Sequence, residues 1–91
     1  MNYLMKYMTD ILNITLYGTE HCHLCEQAHT ILLEVAKQYP CHIEKIDIAY
    51  DAQLLDMYQT RIPVVVVDDI KRSLDWPFTY ADLEKVMTHS S

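Results

Sequence analysis

Glycine is nearly missing from this sequence: Gly18 is the only one among 91 residues. Architectures that need several glycines, such as a dinucleotide fingerprint or a phosphate-cradling loop, are therefore excluded. Basic residues are also scarce. Seven Lys and Arg stand against thirteen Asp and Glu, for a net charge of −6 with His neutral. The cations are scattered rather than striped, so no nucleic-acid partner is expected. No apolar run approaches the roughly 20 residues that span a bilayer, so no membrane partner is expected either. Residues 1–10 contain Lys6 and Asp10 and lack the uninterrupted apolar stretch and small-residue cleavage site of a secretory signal. The expected location is the cytoplasm. Cysteine is limited to three, an odd number, which argues against a structural disulfide framework in such a chain.

What is present is one small domain's worth of chain, 51% apolar, enough for a modest core. Aromatic area comes mainly from seven Tyr, with one Trp and one Phe. Met8-Thr9-Asp10 sits just ahead of the first strand-like run. Residues 1–10 are accordingly read as an N-terminal extension or an alternative start, and 11–91 as the domain.

Alternation of Leu12, Ile14 and Leu16 with Asn13 and Thr15 predicts a strand over 12–17. A turn follows, then a helix over 22–39. Cys25, Ala28, Ile31, Leu32, Val35 and Ala36 recur at helical spacing, with Glu26, Gln27, His29, Glu34 and Lys37 on the wet face. Pro40 ends that helix. Residues 41–48 read as a second strand, which makes a βαβ unit. Asp51 is a fair cap for a short helix to residue 58. Val64-Val65-Val66-Val67 suits a central strand buried on both faces. Asp68-Asp69 turns the chain, and 70–74 returns as an antiparallel edge strand. Trp76-Pro77-Phe78 reads as a loop, and Thr79 with Asp82 as a capping box for a last helix. The expected class is α/β: a four-stranded mixed sheet in the order β-α-β-α-β-β-α.

Cys22-His23-Leu24-Cys25 lies at the junction of the first strand and the long helix. Two thiols one helical turn apart can exchange a disulfide with another molecule and then close on themselves. The same residues, with His21 and His23, offer sulfur and nitrogen donors of the kind zinc favours. From the residues alone, redox chemistry, metal or iron–sulfur binding, and an inert pair all stay open.

With this order in place, the chain resembles the glutaredoxin-like branch of the thioredoxin superfamily. Three segments carry the likeness: residues 16–25 with the C-x-x-C helix start, Arg61-Ile62-Pro63 before the valine strand, and Leu74-Asp75-Trp76-Pro77-Phe78 before the last helix. The last is similar to a segment in small bacterial glutaredoxin-like proteins. The resemblance implies a thioredoxin/glutaredoxin-like fold and a thiol–disulfide oxidoreductase. It also implies that Pro63 is cis and that the Ile62 backbone offers hydrogen bonds to an extended substrate.

In the expected reaction Cys22 is the nucleophile, activated at the helix N-terminus, and Cys25 the resolving thiol. His21 and His23 flank Cys22, and Trp76 either packs its loop on the sheet or lines a substrate groove. The expected partners are a disulfide-containing protein or small thiol and a separate reductant, with no cofactor required and a monomeric chain. Glutathione is a possible co-substrate, although Glu20 and His21 stand where glutathione-binding relatives carry a basic residue, and Trp76-Pro77-Phe78-Thr79 replaces their glycine turn. A non-catalytic module binding peptides along the Pro63 edge is the remaining alternative. Cys41 reads as a small core residue, and His29 and His42 as surface residues.

Overall fold

A computed structural model describes residues 11–88. The extension or alternative start expected at 1–10 lies outside the described residues. Strand β1, Leu12–Gly18, sits inside the sheet. Its Ile14 and Leu16 are buried, as the alternation requires. Helix α1, His23–Gln38, buries Cys25, Ala28, Leu32 and Val35 along one stripe. Strand β2, Cys41–Asp47, then pairs parallel to β1 from Leu12↔Cys41 to Gly18↔Asp47. Parallel neighbours need a long crossover, which α1 supplies.

A single 3₁₀ turn, Ile48–Tyr50, leads to helix α2, Ala52–Tyr58. Asp51 caps α2 as expected, its carboxylate accepting the Gln53 and Leu54 N–H groups at 2.9 and 3.1 Å. Strand β3, Val64–Val67, is antiparallel to β1, and β4, Arg72–Asp75, is antiparallel to β3. Helix α3, Tyr80–Thr88, follows the predicted capping box: Thr79 N–H reaches the Asp82 carboxylate at 2.9 Å and Asp82 N–H reaches Thr79 Oγ1 at 3.1 Å. The sheet order is β2-β1-β3-β4, a thioredoxin-like α/β arrangement.

Between the sheet and the helix pair α1 and α3 lies the main core. Ile14, Leu16, Val65 and Val67 meet Ala28, Leu32, Val35, Leu83, Val86 and Met87 there. Phe78, expected in a loop, belongs to this core at 3% exposure. On the opposite sheet face Tyr17 stacks on Tyr58 of α2 with ring centroids 4.6 Å apart.

Several element ends differ from the sequence reading by one or two residues, and two of these differences have a visible cause. Strand β2 stops at Asp47 because Ile48 enters the 3₁₀ turn, which Asp47 caps by accepting the Ala49 N–H on Oδ1 at 2.8 Å. Strand β4 starts at Arg72 rather than residue 70. Asp68–Ile70 wind another 3₁₀ turn and Lys71 takes a left-handed conformation, φ 52°. Apolar patterning cannot see such a turn.

Topology gathers the chemistry-bearing segments at one end of the sheet. Gly18 pairs with Asp47, Tyr17 with Val64, and Val64 with Asp75. The C-x-x-C loop, the turn after β2, the Ile62-Pro63 step and Trp76 therefore all leave the sheet on the same side.

Candidate active site

Beyond Gly18 the chain turns, and His21 adopts φ 59°, a left-handed conformation in which His is one of the better-tolerated residues. Cys22 is the N-cap of α1, with φ −104° and ψ 106°. Its Sγ accepts the Cys25 N–H at 3.1 Å, the part a Ser or Asp oxygen usually plays at this position. The unpaired N–H groups of the first turn favour negative charge on such an atom.

Cys22 is half-buried while Cys25 is only 8% exposed. The two are joined in a disulfide, with Cα atoms 5.1 Å apart. The single glycine of the sequence packs against this pair. A Cβ on Gly18 would stand 2.8 Å from Cys25 Sγ and 3.2 Å from Cys25 Cβ. Close approach of the sulfur, rather than a turn, is what calls for glycine here.

A cleft of about 560 Å³ opens beside the disulfide, between the start of α1, the 18–22 loop and the end of β2. His21, Cys22 and Cys25 line it, together with His29, Lys45 and Tyr50. Lys45 reaches the cleft because it pairs with Leu16 in the parallel register. His29, expected at the surface, is half-buried. Burial first, and the Lys45 charge second, hold its pKa below the usual histidine value. The sequence reading puts His29 on the wet face of the helix; its spacing four residues after Cys25 is the signal that could have pointed to it. Lys45 and Tyr50 required knowledge of the β1–β2 register.

His23, Ile62, Pro63 and Trp76 do not line this cleft. His23 is exposed. The Ile62-Pro63 bond is cis, as the resemblance implied, and so is Trp76-Pro77, which the sequence reading did not anticipate. The two proline segments are tied together, Trp76 N–H donating to Pro63 O at 3.1 Å. Ile62 N–H donates to Tyr58 O at 3.0 Å. The hydrogen bond Ile62 can offer a ligand is thereby narrowed to its carbonyl. Trp76 is half-buried and meets Phe78 edge to face at 5.1 Å. Arg61, just ahead of this step, makes a two-pronged ion pair with Asp75 at 3.0 and 2.9 Å and lies over the Tyr58 ring.

Comparison with known proteins bears directly on this geometry. The sequence model of the glutaredoxin-like domain family (DUF836) matches residues 13–88. The chain belongs to this family. Among solved structures it is similar to the protein XcR50 from X. campestris, at 35% identity over 82% of this chain and 95% of that one, with a TM-score of 0.72. It is also similar to protein Ne2328 from Nitrosomonas europaea, at 25% identity over 82% and 89% of the two chains, with a TM-score of 0.73. A thioredoxin from Halobacterium salinarum shares the fold at 16% identity, covering 100% of this chain and 86% of that one, with a TM-score of 0.69. No curated protein matches the sequence.

A glutaredoxin-like thioredoxin fold with a C-x-x-C pair at disulfide distance supports a redox role. Among the described residues, no group of three or more His, Cys, Asp or Glu side chains is arranged to hold a metal ion. No described helix is long and apolar enough to cross a membrane. Cys41 is half-buried and packs against the core, and burial pushes its thiol pKa up. That leaves it a poor nucleophile at neutral pH. His42 is exposed.

Proposed function

We propose that this chain is a thiol–disulfide oxidoreductase in which Cys22 attacks and Cys25 resolves. The observation that carries the reading is the asymmetry of the pair: a half-buried cysteine at the helix N-cap and a more deeply buried one a turn later. In the first step the Cys22 thiolate attacks one sulfur of a substrate disulfide. The substrate S–S bond breaks, a mixed disulfide forms, and one substrate thiolate leaves. In the second step Cys25 loses its proton and attacks Cys22 Sγ. The mixed disulfide breaks, the Cys22–Cys25 bond forms, and the second substrate thiolate leaves. Two electrons pass from the dithiol to the substrate, and two protons follow them to the released thiols. A separate thiol reductant then restores the dithiol.

The Cys25 N–H and the α1 N-terminus stabilise the Cys22 thiolate and hence the reduced form. That makes the disulfide more oxidising. The substrate is a disulfide-containing protein or a small disulfide, met in the cytoplasm by a monomeric chain. In this reading the Ile62 carbonyl and Trp76 border its approach, with the buried Pro63 holding that step from behind, and His21 and His23 flank the nucleophile. Glutathione is a candidate co-substrate, to be tested beside a dithiol reductant.

The test is trapping. Cys25→Ser protein should accumulate a mixed disulfide with a small disulfide, visible by mass spectrometry, and Cys22→Ser should accumulate none. The reverse pattern would overturn the roles. A wild-type chain with no reversible two-electron couple in a thiol redox titration would overturn the activity itself.

A further inference from the structure

Cys25 presents a problem that Cys22 does not. Its sulfur is buried against Gly18, and burial disfavours a thiolate. The helix cap stabilises charge on Cys22, not on Cys25. Resolution therefore needs a group that takes the Cys25 proton as the sulfur attacks.

Six other ionisable groups line the cleft beside His29. Glu20 and Glu26 are exposed, and the Asp47 carboxylate is already engaged by Ala49 N–H. Lys45 is a cation, Tyr50 is 82% exposed, and His21 lies in the loop ahead of Cys22. His29 is on α1 itself, four residues after Cys25, and lines the same cleft. That spacing puts the two Cβ atoms about 5–6 Å apart on one helix face.

We propose that His29 is the proton acceptor for Cys25 in the resolving step, taking the proton directly or through one water in the cleft. The inference rests on the proposed oxidoreductase reading. As Cys25 sulfur bonds to Cys22 Sγ, its proton passes to the imidazole and the substrate thiolate leaves. Two features suit the role. Burial first, and Lys45 second, hold its pKa below the usual histidine value, which favours the neutral imidazole that can accept. Lys45 also opposes the imidazolium once formed, so the proton is passed on to the leaving thiolate or to solvent.

The experiment mixes reduced protein, with Cys41→Ser in every arm, with a symmetric aromatic disulfide whose released thiolate is coloured. The first release reports attack by Cys22, and the second reports resolution by Cys25. In His29→Gln the second phase should slow at pH 7 by about a hundredfold, the low end for loss of a proton acceptor, with the first phase unchanged. The deficit should close as pH rises and Cys25 ionises unaided. Free imidazole should restore the second phase in His29→Ala.

An unchanged second phase, or one slowed equally at every pH and not rescued, would overturn the role. Lys45→Met provides a variant that keeps His29. Removing that charge should raise the histidine pKa and move the acid limb of the second phase to higher pH. A limb that stays in place would count against the proposal. Absence of even the first phase in the parent protein would instead overturn the oxidoreductase reading.

Discussion

Gly18 shows how one residue can constrain the whole site. Its lack of a side chain leaves room for Cys25 Sγ, which a Cβ would meet at 2.8 Å. Gly18→Ala should destabilise the domain by about 1–3 kcal/mol, the usual cost of overpacking. In a Cys25→Ala background the sulfur is gone and most of that penalty should vanish. Urea unfolding of the four proteins in this cycle measures the coupling, and additive effects would refute the contact. The scarcity of glycine was plain from the sequence. That its one occurrence serves a sulfur rather than a turn was not, because contact between residues 18 and 25 depends on how α1 leaves the sheet. Cys41 is the converse. It is chemically equal to its two counterparts on paper, but it opens β2 rather than a helix, and burial pushes its thiol pKa up.

At the scale of elements, the local signals were reliable where the cause is local. Asp51 at α2 and Thr79–Asp82 at α3 do what capping chemistry requires. The segment between α2 and β4 is held instead by a long-range pair, Arg61–Asp75. The Arg61 hydrogen bonds lead in drawing the Asp75 pKa below the ordinary carboxylate value. A folded pKa below the unfolded value means the pair stabilises fully above about pH 4. That contribution is lost as pH falls through the lowered folded value. Both side chains are substantially exposed, so the effect at pH 7 should stay below about 1 kcal/mol. Asp75→Asn should therefore lose this small increment at pH 7, and its deficit should shrink as pH falls through the lowered folded value. Urea midpoints at pH 7 and at successively lower pH provide the check.

The whole molecule rests chiefly on the core between the sheet and the α1–α3 layer. Leu32 lies at its centre with 0% exposure. Leu32→Ala should cost about 2–5 kcal/mol through lost burial and the cavity left behind. For a small domain of about 5–15 kcal/mol total stability, that is a large share. A denaturation midpoint close to that of the parent chain would show that α1 is not seated as described. The same topology sets the position of the site. With β1 and β2 parallel and β3 and β4 antiparallel to their neighbours, the turns after β1 and β2 and the chain entering β3 all reach one end of the sheet.

By itself the sequence determined the element order, both side-chain caps just described, the valine strand's place inside the sheet and the two cysteines at the start of α1. Each is written in periodicity or in contacts a few residues apart, so the chain can be read along its own length. Only the tertiary structure decided which surface the cysteines share. The parallel register that sets Lys45 beside Leu16 joins residues 29 positions apart. Together with the turn after β2, it makes a cleft of His29, Lys45 and Tyr50 beside the disulfide. Packing likewise carried the side chain of Phe78 from within its loop into the core and engaged the Ile62 N–H with Tyr58. These outcomes depend on strand pairing and burial across the fold, which no local pattern encodes.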